Sequence, residues 1–432
     1  MKKTLVAIAA LAAATGAMAQ SSVSLYGVVD AGYGTFKYKD TAGVTNKVSG
    51  TAYNSDDTGR WGLTAKEDIG GGMAAGFNIE SNLGGPIRDN FGYNGSGYGN
   101  QSSSATNLFN PGSATASANG ILGNFNTGGA ISAGGGGMGV TTAIGDRKFN
   151  AYVQSGANTV TVGFKDTIVR AIAVGFDAAG GNHLGNLVGN DRSLGGSSNG
   201  QGRAKGFEYA YSANGLTAAA QLIRGYTQTG SYYATTGDVG ESVNGYNAGA
   251  IYTTGALSIG GAVANMKSIA PINNGFLTGN GMAASAATTS ATDILTKQTA
   301  IGASYDFGVA KAFYQYAKVN INDRNLAAAT NGGNGVGGDI RSMQSVGVRV
   351  PAGQGWAFAQ YSKGADQNGN SSVNGSTSGY SAGYKYDLSK RTTVYAAVGQ
   401  TKADSHSSVT ANLNTVTAVQ ANYSAFGLKH AF

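Results

Sequence analysis

The chain has no cysteine, only 4 prolines among 432 residues, and few charges: Asp, Glu, Lys and Arg make up 12 %. Without cysteine there is no disulfide framework. The charged share is about half that of an ordinary soluble protein, too small to coat a large solvated surface, yet the mean hydropathy is near neutral at -0.14. Beyond the N-terminal stretch, no uninterrupted apolar run reaches the ~18 residues that a membrane-spanning helix needs. A fold with water inside and lipid outside fits this balance. A Gly/Ser/Thr-rich exported β-protein shares the low charge and is the plainer alternative.

What is present begins with "MKKTLVAIAALAAATGAMAQ". Lys2 and Lys3 precede an apolar stretch from Leu5 to Ala14, and Ala17-Met18-Ala19 is an A-x-A cleavage pattern. This reads as a secretory signal peptide over residues 1–19, leaving residues 20–432 as one mature domain. Removing the two lysines takes the formal charge from +7 to 7 − 2 = +5. The remaining Lys and Arg are scattered, which speaks against a nucleic-acid partner.

From Ser21 onward the dominant rhythm has period two. "SVSLYGVVDAGYG" sets Val23, Leu25, Val29 and Tyr33 opposite Ser24, Tyr26 and Asp30. Further stretches set Trp61 and Leu63 opposite Arg60 and Lys66, and Phe77 and Ile79 opposite Glu80. Phe207, Tyr209 and Tyr211 oppose Glu208, and Val346, Val348 and Val350 oppose Arg349. Large apolar side chains keep one register and charges keep the other. The strands come in pairs joined by tight turns, such as Asn214-Gly215 and the one near Gly255. Long segments rich in Gly, Ser, Asn, Thr and Ala separate the pairs, as at 82–145 and 166–202.

Short turns at one end and long loops at the other predict an all-β protein: a transmembrane antiparallel β-barrel of about sixteen strands around an aqueous channel. Asp30, Lys66, Glu80, Glu208 and Arg349 then face the lumen. The end of the chain, "NYSAFGLKHAF", is read as a strand. Phe426, Leu428 and Phe432 face lipid, and the strand pairs with the first one, near residues 23–33, so that no backbone edge is left bare in hydrocarbon.

The fragments "SVSLYGVVDAGYG", "GRWGLTAKEDIGGGMAAGFNIES", "GASYDFGVAKAFYQYAK", "YDLSKRTTVYAAVGQ" and "FGLKHAF", taken in this order behind a leader, resemble the general diffusion porins of Gram-negative bacteria, of the β-proteobacterial type. The resemblance covers nearly the whole mature chain. It implies a barrel in the outer membrane, reached through the periplasm, usually a homotrimer, with a third external loop folded into the pore as a constriction. It also implies that Phe432 is the signal read by the barrel-assembly machinery during insertion.

By position the third loop is 167–203. A basic cluster opposite it would comprise Arg60, Lys165 and Arg203, with Arg170, Asp177 and Asp191 on the loop itself. The family has an arginine shortly before the "AYV" element. Here Phe149 and Asn150 occupy that stretch, and Arg147 or Lys148 substitute only if the register slips. The partners implied are outer-membrane lipid, small ions and hydrophilic solutes.

No catalytic constellation, metal-ligand spacing or cofactor motif stands out. "SAGGGGMG" lacks the Lys and Ser/Thr of a phosphate loop, and the three histidines, His183, His406 and His430, are far apart in the chain. The chain is read as a non-enzyme. The function expected is passive diffusion of small solutes with an anion lean. A substrate-specific anion channel and a plugged structural or adhesive barrel are the alternatives.

Overall fold

The computed structural model describes residues 22–40, 45–53, 55–83, 145, 147–180, 186–190, 202–227, 241–270, 292–323, 339–367, 374–403 and 418–432. The signal-peptide expectation, Asp191 and most of the segment 82–145 lie outside the described residues.

Seventeen strands are found among them: β1 (Ser22–Asp40), β2 (Thr45–Tyr53), β3 (Arg60–Gly70), β4 (Met73–Asn82), β5 (Lys148–Ser155), β6 (Asn158–Asp166), β7 (Arg203–Ala213), β8 (Leu216–Thr227), β9 (Glu241–Thr254), β10 (Leu257–Ala270), β11 (Thr292–Asp306), β12 (Lys311–Asp323), β13 (Asp339–Ala352), β14 (Gly355–Gln367), β15 (Asn374–Asp387), β16 (Thr392–Ala403) and β17 (Ala418–Ala431). Two short helices, α1 (Ile168–Gly175) and α2 (Leu187–Asn190), lie between β6 and β7. The strands form one antiparallel sheet that closes where β17 pairs with β1. β2 lies along residues 31–39 of β1 and β3 along residues 22–28. The two share one position in the wall, so the barrel is sixteen strands around.

Seven two- to four-residue turns join the hairpins at one end, each where the sequence places it. In one of the two-residue turns, Asn214-Gly215, both residues have positive φ (51° and 78°). That is the type I′ geometry that Asn-Gly favours and that matches strand twist. The start of β1 and the last residue both lie at this end: Gly27 and Phe432 exchange two backbone hydrogen bonds of 3.1 Å. The closing pair differs from expectation in register. β17 runs along residues 28–40 of β1 rather than 23–33. Residues 22–28 pair with β3, which reaches further toward the short-turn end than β17 does. Strands range from 8 to 19 residues, and most exceed the 9–11 that suffice to cross a bilayer.

Alternation sorts the faces. Phe207, Tyr209, Val346 and Phe426 are more than half exposed on the outside. Thr161, Gln221, Asn247, Gln315, Gln360 and Ser381 point inward and are buried. In a soluble protein that arrangement would be inverted; here the outer solvent is hydrocarbon. Phe426 pairs across the closure with Tyr33, ring centroids 6.0 Å apart. It lies six residues from the chain end, about 14 Å above the rim at a ~3.4 Å rise and ~45° tilt, close to the bilayer midplane. Phe426→Arg is therefore expected to destabilise the inserted barrel by about 2–4 kcal/mol. Urea titration of refolding into lipid vesicles measures this, and the Phe426→Leu variant should stay close to wild type.

Candidate functional site: the lumen

The chain between β6 and β7 turns into the barrel. Thr167 starts α1 as its N-cap: its hydroxyl accepts the Arg170 N–H at 3.2 Å and donates to the Gly202 carbonyl at 3.1 Å. Ile168, Val169, Ile172 and Ala173 recur at helical spacing on one buried face. That face meets β9–β11, whose inward positions carry Ala262, Ala264 and Ala300, with Ala317 on β12 beyond them. Phe176 lies flat on Gly302, where any Cβ would collide with its ring. Small residues on neighbouring strands thus make a slot for the loop. Gln315 on β12 ties the two helices to the wall: its amide donates to the Ala173 carbonyl at 2.7 Å and its oxygen accepts from Asn186 at 3.1 Å. The loop continues to β13, where Arg349 stacks over Trp356 (4.0 Å to the ring centroid) and donates to the Ala178 and Asp177 carbonyls at 3.0–3.2 Å.

The charged groups fall into two assemblies. In the first, on the β4–β7 side, Glu80 accepts from Arg147 at 2.6 Å, from Tyr26 at 3.0 Å and from Lys148 at 3.4 Å. Asp166 faces Arg203 at 2.8 Å, Arg170 at 2.9 Å and Lys148 at 3.6 Å. Four cations share two carboxylates. The terminal nitrogens of Arg203 and Nη1 of Arg170 are buried with no hydrogen-bond acceptor among the described residues. Burial pulls the Arg170 guanidinium below its ordinary pKa and Asp166 opposes this; arginine stays charged regardless. Lys165 is paired separately, with Glu208.

The second assembly surrounds the break between β2 and β3. Residues 55–59 leave the wall and fold inward. Asp30 holds them: its Oδ2 accepts the N–H groups of Asp56 and Asp57, both at 2.7 Å, and its Oδ1 accepts the Tyr395 hydroxyl at 2.6 Å. Asp56 is fully buried between Lys385 and Lys429, the latter at 2.9 Å. Arg60 bridges Asp57 at 2.8 Å. Here three cations meet three carboxylates.

Of the residues singled out in the sequence, Arg170 and Arg203 meet at Asp166, while Arg60 lies in the balanced assembly. The Asp177 carboxylate accepts the Ala179 N–H at 2.9 Å and so serves the loop's own turn. Lys66 is exposed toward the short-turn end and bonds Gln154 at 3.2 Å. Phe432 pairs with Gly27 through its backbone. Sequence reasoning gave Arg147 only a conditional place. It precedes β5, where alternation imposes no direction, and reaches inward to Glu80 without any slip of register. Arg203 also escapes the alternation rule: it opens β7 and is buried, although Lys205 and Phe207 on the same register are exposed. Asp56, Lys385 and Tyr395 were not anticipated.

The model of the family described as "Gram-negative porin" matches residues 5–406 of this chain. The chain belongs to the Gram-negative porin family. As such it is an outer-membrane β-barrel protein of the channel-forming kind. Outer membrane porin protein 32 of Delftia acidovorans is 46 % identical to it over 94 residues, 22 % of this chain and 26 % of that protein. The match thus spans about a quarter of that relative's length. Among solved structures, an anion-selective porin from Comamonas acidovorans superposes with a TM-score of 0.58 at 19 % identity, covering 96 % of this porin and 100 % of that chain. OmpT of Vibrio cholerae in a trimer form gives 0.54 at 12 %, covering 95 % and 99 %. At these identities the likeness is one of fold.

Proposed function

We propose that this porin forms a water-filled outer-membrane channel for passive diffusion of small hydrophilic solutes and ions, favours anions, and assembles as a homotrimer. An ion in hydrocarbon must give up its hydration at great cost. A lumen lined with Gln, Asn, Ser and Thr lets it keep most of that shell, and fixed charge at a narrow point then discriminates by sign. The observation that carries the anion preference is the assembly around Asp166 and Glu80, where four cations share two carboxylates. The assembly at Asp56 cancels itself, so the excess positive charge lies on the β4–β7 side. The fold likeness to an anion-selective porin and to a trimeric one supports the same reading. In it residues 1–19 are a leader removed after Ala19, Phe432 is the residue read at insertion, and bilayer lipid contacts the outer aromatic face.

Swelling of proteoliposomes in isotonic sugars tests the open channel. Swelling with mono- and disaccharides that fails for large polysaccharides is expected. Absence of swelling with correctly folded protein would favour a plugged barrel. Within the same reading, Asp166→Asn removes one of the two counter-charges and should raise the anion-to-cation permeability ratio severalfold. A lowered ratio would place the ion path elsewhere.

A further inference from the structure

The inward fold of residues 55–59 spans a long stretch of wall. Asp56 leaves the β2/β3 position and meets Lys385 on β15, with β1, β17 and β16 between. From β1 to β15 is three strand steps, about 14 Å at ~4.8 Å per step. Asp30 on β1, Lys429 on β17 and Lys385 on β15 fasten it directly, and Tyr395 on β16 donates to Asp30. Residues 167–180 arrive at β15 from the opposite direction, having run along β9–β11 and past Arg349 of β13. The Gly180 carbonyl accepts from the ammonium of Lys385 at 3.4 Å, and that ammonium lies over Trp356 and Phe358 (5.0 and 5.9 Å to the ring centroids). Lys385 is 2 % exposed. The two inward segments, more than a hundred residues apart in sequence, therefore meet at one side chain.

We propose that residues 55–59 are a second constriction element, that Lys385 locks it against residues 167–180, and that this joint sets the solute size limit of the channel. The inference rests on the reading of an open diffusion channel. Lys385 acts as a positioning residue: it does not face the solute, and holds in place two segments that do. A lysine fits because one ammonium can serve the Asp56 carboxylate and the Gly180 carbonyl together. A buried, uncompensated Asp56 would push the segment out toward water. Lys429 remains on Asp56, so the barrel wall keeps one tether when Lys385 is changed.

The test compares wild type, Lys385→Met, Lys385→Arg and Lys385→Cys in planar bilayers, with sugar uptake measured in parallel. The chain has no other cysteine. Unfolded Lys385→Cys protein can therefore be S-aminoethylated at that position alone, giving a lysine isostere, before refolding. Lys385→Met should raise single-channel conductance about 1.5-fold or more, since permeation follows the open width, and should admit sugars that wild type excludes. Aminoethylated Lys385→Cys should return both values to wild type, while the unmodified thiol should behave like Met. Folding of each variant is read from the heat-dependent gel shift of the barrel, so a variant that fails to fold is replaced in the comparison by the aminoethylated and unmodified pair, which share one sequence. Conducting wild type with unchanged conductance and size limit in Lys385→Met and in unmodified Lys385→Cys would overturn the joint and leave the channel standing. A non-conducting wild type would overturn the channel itself and the joint with it.

Discussion

Changing Arg147 and Arg203 together to glutamate is expected to invert the ion preference of the channel. Around Asp166 and Glu80 the count goes from four cations and two carboxylates to two cations and four carboxylates, a change of four unit charges. A unit charge ~7 Å from the ion path is worth about 0.6 kcal/mol even at the dielectric constant of water. Four units approach ~2 kcal/mol before screening, which exceeds tenfold in relative permeability. The reversal potential under a salt gradient should change sign, and more sharply at low ionic strength. Arg147→Gln with Arg203→Gln should fall between. A double glutamate variant that folds and keeps the wild-type sign would show that the assembly does not border the ion path.

The second large effect concerns the loop's seat. Ile172 is wholly buried between α1 and the alanine wall. Ile172→Asp removes a side chain whose truncation alone costs about 2–5 kcal/mol and adds a carboxylate with no partner there. Sixteen strand positions and their closure do not depend on this contact, so the barrel should still form. The loop should leave its slot, and the steady single-channel current should give way to rapid fluctuation with a relaxed size limit. Ile172→Val, which keeps the shape, should remain quiet. A steady, wild-type current from Ile172→Asp would mean that Gln315 and Arg349 hold the loop without its apolar face.

These outcomes bear on how much of the molecule could be read from its residues. Alternation is a direct consequence of strand geometry, so the outward faces of Val346 and Phe426, both more than half exposed, were legible with no knowledge of their neighbours. Turns such as Asn214-Gly215 were legible because few residues tolerate their backbone. The seat of the loop was present but unread: Ala262, Ala264, Ala300, Gly302 and Ala317 are small residues at inward positions on adjacent strands, a pattern visible only once the strands are laid side by side.

The inward turn at 55–59 escaped for a related reason. "SDDTG" interrupts the period-two rhythm with two adjacent carboxylates, which is a signal that the wall is broken. What those carboxylates meet depends on Lys385 and Lys429, more than three hundred residues away and brought close only by barrel closure. Arg147 and Arg203 lie where alternation lapses, just before one strand and at the first residue of another, so face could not be inferred for either.

The most direct test of the account is the current through single wild-type channels in a planar bilayer, with the reversal potential measured across a potassium chloride gradient. An open water-filled pore with excess positive charge near Asp166 predicts stable conductance steps and a reversal potential of the anion-selective sign. A correctly folded protein that carries no current would contradict the channel, and a cation-selective sign would contradict the placement of the excess charge beside the ion path.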